Sequence, residues 1–260
     1  MRIAFTILLN GMEHLMHNNY YAKMIEMFDF WVIIEGVAKN NGSTSWCKLL
    51  PDTFHNDFLS NDGTTEFIDV LSRQHSKVIV VRSDNGYWDS KDDQVNAAIK
   101  QIRQITNSCY LWEVDIDEQW TEEQLDQAEK ELMNNSGKTG CFYCKCYVGE
   151  NQVAMGDWGE GKTEPYRRLW YWEGEDFVTH EPPKLNGNNN PRLLLTPRFN
   201  HYSYFFEKDI RFKEAYYTGY QGLYGRWIQI QSNKGTLPVR ALLGNNVWWS
   251  NTNTIIQYVK

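Results

Sequence analysis

The sequence predicts an α/β fold, a mostly parallel sheet with helices on both faces that passes into an aromatic-rich C-terminal extension. Three observations predict it. Apolar runs of strand length alternate with stretches of helical period from residue 3 to residue 117. Hydrophobic residues make up 42% of the 260 and aromatic residues 15%, enough to close a substantial core. Beyond residue 136 the pattern changes to strand-like pieces rich in Tyr, Trp and Phe.

The elements follow in order. "IAFTILL" (3–9) reads as a buried strand, "MEHLMHNNYYAKMIEMF" (12–28) as a helix and "FDFWVIIEG" (28–36) as a second strand. After a polar loop, 64–74 reads as a helix that Asp62 or Thr64 can cap, and 77–83 as a third strand. Residues 91–105 have apolar spacing near 3.6, and 109–117 form a fourth strand. This βαβαβαβ order implies a parallel sheet, whose ligands collect at the carboxyl ends of the strands. A helix over 121–134 is started by Thr121, with Glu122 and Glu123 in its first turn. Strands at 140–149, 166–172 and 192–204, a loop at 186–191 and helices near 207–217 and 220–231 complete the reading; the Trp-rich tail gives no signal. The expected organisation is one compact domain of two halves, 1–135 and 136–260.

Bulk properties exclude several classes. Net charge is −7 and the isoelectric point about 5.4, with no Lys- or Arg-rich block, so nucleic acid is not expected as a partner. No apolar run approaches the ~18–20 residues that cross a bilayer. The N-terminal apolar run is broken by Asn10, Glu13 and His14, a poor export signal, and five cysteines are an odd number. A soluble, cytoplasmic protein is expected.

The segment "YLWEVDIDEQW" (110–120) ends in Asp115, Asp117 and Glu118. On a strand, residues two apart share a face, so Asp115 and Asp117 would project together. Adjacent carboxylates repel, and a divalent cation such as Mg²⁺ or Mn²⁺, completed by phosphate oxygens, would relieve them. The same acids also suit a solvated strand end.

Leu-Leu-Asn-(Gly-Met)-Glu after strand one, Glu35 closing strand two, "DGTTEFIDVL" before strand three and "WEVDIDEQW", taken in that order, resemble GT-A glycosyltransferases, above all small family-2-like enzymes with an Asp-x-Asp-Glu strand end. "RRLWYWEGEDFVTHEPP" (167–183) and "HYSYFFEKDIRFKEAYY" (201–217) are similar to later segments of such enzymes, so the resemblance runs from residue 3 to about 217. It implies a GT-A, Rossmann-like fold and metal-dependent transfer of a sugar from a nucleoside-diphosphate sugar to a glycan or other hydroxyl acceptor, with inversion. It assigns Asp117 to the metal, Asp115 to ribose or metal, and Glu118 to the sugar or a place behind it. Asn10, Glu13 and Glu35 fall on the nucleotide side. The chain departs from the family pattern where strand two ends "IIEGVAKNNGS" rather than in paired acids, which leaves Glu35 alone there, and in a long 37–62 loop.

The chemistry also needs a base for the acceptor proton. Glu181, in "THEPP", is the candidate and Asp157 the substitute; Glu181 would equally suit a surface loop. His201 either joins the metal or packs under aromatic neighbours. Arg167 and Arg168 fall on opposite faces of a strand, so one of them, taken as Arg168, reaches the diphosphate. Lys91 opens a helix that can approach the nucleotide. Trp88, Trp158, Trp170 and Trp172 could stack on sugar rings, although most of the eleven tryptophans must be core. "GDWGEGKT" (156–163) matches a phosphate-loop pattern, but acids inside the cradle and Pro165 argue against it. "CFYCKC" (141–146) has no partner group at zinc spacing, and His14 and His17 lie one helical turn apart near strand one. A non-catalytic carbohydrate-binding protein and a sugar nucleotidyltransferase are the alternative functions; the latter is disfavoured by the lack of a Gly-rich, basic loop after strand one.

Overall fold

The computed structural model describes residues 1–157, 165–187, 191–247, 250 and 252–259. Its first half is β1 (Arg2–Leu8), α1 (Met12–Met16), α2 (Tyr20–Met27), β2 (Phe30–Glu35), β3 (Ala38–Asn41), α3 (Thr64–Gln74), β4 (Val78–Arg82), β5 (Trp88–Ser90), α4 (Lys91–Ile105), β6 (Cys109–Glu113), β7 (Glu118–Gln119) and α5 (Glu122–Asn134). The second half is β8 (Thr139–Tyr147), β9 (Gln152–Met155), β10 (Tyr166–Trp172), β11 (Phe177–Thr179), β12 (Lys184–Leu185), β13 (Arg192–His201), α6 (Glu207–Tyr216), α7 (Leu223–Gln231), β14 (Thr236–Pro238), α8 (Arg240–Leu243) and β15 (Ile255–Tyr258).

The expected α/β class, with a parallel centre and helices on both faces, is present. Strands β4, β2, β1 and β6 are parallel neighbours in that order. Because β1 has β2 on one side and β6 on the other, the strand order reverses there, and a crevice opens at the strands' carboxyl ends. Alternation sorts the side chains: Ala4, Trp31 and Ile33 pack with α2, α3 and α5, whereas Ile3, Phe5, Val32 and Ile34 pack against Val95, Ala98, Ile99 and Ile102 of α4. The second half extends the same sheet. β10 pairs antiparallel with β6 and β8, and β8 continues through β9 to β15 and β14. β13 runs parallel to β8 and antiparallel to β7.

Local chemistry sets the ends. Ser90 accepts from Asp93 N–H at the start of α4, and Thr121 forms a capping box with Gln124 at the start of α5. Asp62 Oδ1 accepts from both the N–H and the hydroxyl of Thr64, which fixes the entry to α3. The helix expected over 12–28 is broken, because Asn18 and Asn19 take left-handed conformations (φ 58° and 53°) that asparagine tolerates and a helix does not.

The strand expected over 109–117 ends at Glu113. The chain then turns, with Glu118 N–H donating to Asp115 O (2.9 Å), so Asp115 and Asp117 sit in a turn and not on alternating strand positions. Trp31, Trp112, Trp120, Trp170 and Trp172 are fully buried, and no sugar can stack on Trp170 or Trp172 without unpacking the core. Trp158 and most of the 156–163 segment lie outside the described residues. Cys141, Cys144 and Cys146 are buried on β8 and in no disulfide; burial pushes Cys146 up to about 12. No helix among the described residues is long and apolar enough to cross a membrane.

Candidate active site

A cavity of about 510 Å³ opens at the carboxyl ends of β1, β2 and β6. The residues following those strands form its floor, among them Asn10, Val37, Asp115 and Asp117. One wall is the 180–183 segment with Arg167 and Arg168; the other is α6, which contributes Lys208, Phe212, Lys213 and Tyr216. Both halves of the chain are therefore needed to enclose it.

Arg168 organises the acidic floor. Buried at the start of β10, it donates from Nε to Glu118 Oε1 (2.9 Å) and Oε2 (3.1 Å) and from Nη2 to Asp115 Oδ2 (2.6 Å). Its Nη1 lies 3.8 Å from Glu113 Oε1. Burial opposes the guanidinium charge, but Glu118, Asp115 and Glu113 outweigh it and hold its pKa well above the usual value. One cation cannot neutralise three carboxylates. Glu118, fully buried beneath the cavity, is pushed well above the ordinary range, by burial first and against the pull of Arg168.

Asp117 meets a different set of partners. Its Oδ1 is 3.5 Å from His201 Nε2 and its Oδ2 is 4.0 Å from Lys213 Nζ. Burial would raise its carboxyl, but His201, Lys213 and His14 outweigh burial and hold it far below the usual carboxylate range. The β7–β13 pairing builds this contact: His201 stands opposite Glu118, and Asp117 O accepts from Tyr202 N–H (2.7 Å). Among the described residues no group of three or more His, Cys, Asp or Glu is arranged to hold a metal ion. What faces the cavity is a two-donor pair, a carboxylate and an imidazole. That suits Mn²⁺ or Mg²⁺ only when phosphate oxygens or water complete the shell. Asp115, expected as a further ligand, is held by Arg168.

The remaining sequence candidates divide. Lys91 and Glu181 line the cavity, and Lys91 Nζ stands 5.5 Å from the Tyr216 ring centroid. Glu181 is exposed at the cavity rim, where desolvation by the surrounding wall pushes its carboxyl up against the pull of His180, Arg168 and Lys91. Asn10 lines the cavity, but its amide is engaged with Phe54 O (2.5 Å) and Asn61 N–H (2.9 Å), so it ties the 37–62 loop to β1. Glu35 lies outside the cavity, fully buried, and accepts from Arg82 Nε (2.8 Å), Ser60 N–H (3.2 Å) and Thr65 Oγ1 (2.5 Å). Glu13 is exposed outside the cavity, and Asp157 accepts from Asn253 N–H (2.8 Å) away from it. Trp88 donates to Glu35 O (2.9 Å). His14 is buried against Asp209 (2.7 Å), and His17 stacks on Phe205.

Sequence reasoning passed over four cavity residues: Lys208, Lys213, Glu113 and His180. The lysines are five apart on α6, a spacing without a helical-face signal of its own. Glu113 reads as one more strand residue until its buried carboxylate is seen to lack a hydrogen bond.

No family model matches the chain, and no curated protein matches it. Among solved structures it is similar to S. aureus TarS 1-349, with a TM-score of 0.38 and 15% identity over 58% of this chain and 37% of that one. The same protein in complex with UDP-GlcNAc gives 0.38 and 14% over 58% and 36%. A 4-diphosphocytidyl-2C-methyl-D-erythritol synthase gives 0.36 and 12% over 66% of this chain and 75% of that one. The match thus spans little more than a third of the TarS chains, and the resemblance to them is partial.

Proposed function

We propose that the protein is a glycosyltransferase that moves a sugar from a nucleoside-diphosphate sugar to a glycan or other hydroxyl acceptor. The observation that carries this reading is the convergence, in one cavity at the reversal of strand order, of the Asp117–His201 pair with Lys213, Lys208 and Lys91. A neutral sugar needs no such charge; a diphosphate does. Asp117 and His201 would hold a divalent cation, Mn²⁺ or Mg²⁺, which would supply charge stabilisation to a departing diphosphate. Lys213 reinforces that charge from α6, and Asp115, oriented by Arg168, accepts from a ribose hydroxyl. His180 and Glu181 on the opposite wall receive the acceptor. Asp115, Asp117 and Lys91 of the 1–135 half then meet the donor together with His201, Lys208 and Lys213 of the 136–260 half, which also carries the acceptor side. The loop after β1 carries no basic side chain over residues 9–12, which disfavours nucleotidyl transfer.

A thermal-shift panel of UDP, CDP, GDP and ADP, with and without Mn²⁺, tests the reading. One nucleotide should stabilise the wild type in a Mn²⁺-dependent way, by about 2.7 kcal/mol at roughly a hundredfold excess over Kd. Asp117→Asn should remove the Mn²⁺-dependent part and keep the fold. Stabilisation by no nucleotide, or an unchanged Mn²⁺ effect in Asp117→Asn, counts against it.

A further inference from the structure

Glu113, at the last position of β6, is 2% exposed, and neither carboxylate oxygen is hydrogen-bonded. A buried carboxylate in that state is costly, which asks for a reason. Besides Arg168 Nη1 at 3.8 Å, its polar neighbour is His180, whose Nδ1 lies 3.2 Å from Glu113 Oε1. The contact has ion-pair distance without hydrogen-bond alignment, as catalytic contacts often do before substrate binds.

The His180 ring is held from its backbone. His180 N–H donates to Asp92 Oδ1 (2.7 Å), and Asp92 is itself gripped by Ser43 N–H (2.9 Å) and Ser43 Oγ (2.5 Å). The imidazole is about nine-tenths buried on the cavity wall, with Nδ1 shut off beside Glu113; Nε2 is not shut off, and the residue lines the cavity. Glu181, next in the chain, is fixed through its N–H on Ser43 Oγ (3.1 Å), but no described residue hydrogen-bonds its carboxylate.

We infer that His180 Nε2 is the group that takes the acceptor's proton, and that Glu113 is the positioning residue that keeps Nδ1 protonated and faces the imidazolium as it forms. This deepens, and rests on, the transfer reading above. As the acceptor oxygen bonds to the anomeric carbon, its proton passes to Nε2. The bond from that carbon to the diphosphate oxygen breaks with its electron pair on the leaving diphosphate. The imidazolium afterwards gives its proton to solvent. The order Ser43, Asp92, His180, Glu113, Arg168, Asp115 then links the acceptor wall to the donor floor through successive contacts.

Two readouts on the full chain test this. The first needs no substrate: long-range spectra of nitrogen-15 histidine-labelled protein report the tautomer of neutral His180. Nδ1–H is expected in the wild type, with a shift toward Nε2–H in Glu113→Leu; Nε2–H in the wild type overturns the inference. The second is UDP release from UDP-N-acetylglucosamine with methyl glucoside as acceptor. His180→Gln should lower kcat about 10²–10⁴-fold, with KM within about threefold and the UDP-induced rise in Tm retained. Glu113→Gln, which keeps shape and loses charge, should lower kcat with KM unchanged, while Glu181→Gln loses less than His180→Gln. Wild-type turnover in His180→Gln, or a loss in Glu113→Gln that lies wholly in KM, overturns it. If a nucleotide other than UDP raises the Tm of the wild type, its sugar replaces UDP-N-acetylglucosamine as donor; if none of UDP, CDP, GDP and ADP does, the transfer reading fails and the tautomer alone decides the His180–Glu113 pair.

Discussion

Replacing Glu35 by alanine separates a residue that touches the nucleotide from one that shapes the cavity. The structure gives its carboxylate three donors, Arg82 Nε, Ser60 N–H and Thr65 Oγ1, with no exposure to solvent. Losing the acceptor leaves the buried Ser60 N–H unpaired, at about 1–3 kcal/mol, and removes the hydrogen bond from charged Arg82, at about 1.5–3 kcal/mol. Arg82 keeps Asp69 at 2.8 Å and reaches solvent, so its stranded charge adds little. A loss of about 2.5–6 kcal/mol follows, and the isosteric Glu35→Gln should lose about 1–3 kcal/mol because it keeps one acceptor. Urea unfolding of the three proteins measures it. Glu35→Gln should also keep the nucleotide-induced stabilisation of the folded protein. A loss below about 1 kcal/mol in Glu35→Ala, or full stability with abolished nucleotide binding in Glu35→Gln, would refute the structural role.

Arg168→Met leaves Glu118 and Glu113 buried without their cation, and should destabilise by about 3–5 kcal/mol at neutral pH. Glu118 can relieve its charge by taking a proton, so the penalty should shrink in urea unfolding as pH falls toward about 5; a penalty independent of pH would contradict the burial argument. The His14–Asp209 pair works in the opposite sense. His14 is buried, which lowers its pKa, but Asp209 outweighs burial and raises it above the ordinary 6.5. Its contribution is therefore full below about 6.5 and is lost as pH rises through the folded value. The Tm difference between wild type and His14→Gln should narrow with rising pH, and a difference that widens would refute the pairing.

Much of the framework was legible because periodicity is local. The helices over 64–74 and 91–105 and the strand over 166–172 have the bounds the sequence suggests; the helix starts are marked locally, by Asp62 accepting from Thr64 N–H and by the Ser90 cap. The strand over 109–117 was overextended for a non-local reason: Arg168, fifty-odd residues away on β10, draws Asp115 out of line after Glu113. The break at Asn18 and Asn19 had a local signal in the Asn-Asn pair, weaker than the apolar period around it. At the candidate site, Asp117, His201, Lys91 and Glu181 were reached from residue type and position, and the structure places them on one cavity. Glu113 and His180 could not be paired from sequence, because β6 and the 180–183 segment meet only when β10 has joined the sheet.

The balance of charge inside the cavity narrows what each basic residue can do. Arg168 is the most buried of them, yet Glu118, Asp115 and Glu113 already surround it, so adding a diphosphate would set more negative charge against a saturated cation. What Arg168 does in the cavity is orient Asp115. Lys208 pairs with Asp62 at 2.9 Å, which anchors α6 to the start of α3. Lys213 differs, because its nearest acid, Asp117 at 4.0 Å, also faces His201 and is the group a cation would share. The positive charge lining the cavity therefore comes from Lys213 of α6 and Lys91 more than from β10. In a protein of net charge −7, the cavity gathers Lys91, Lys208 and Lys213 beside its acids, of which Asp115 is turned onto Arg168 and Asp117 onto His201 and Lys213.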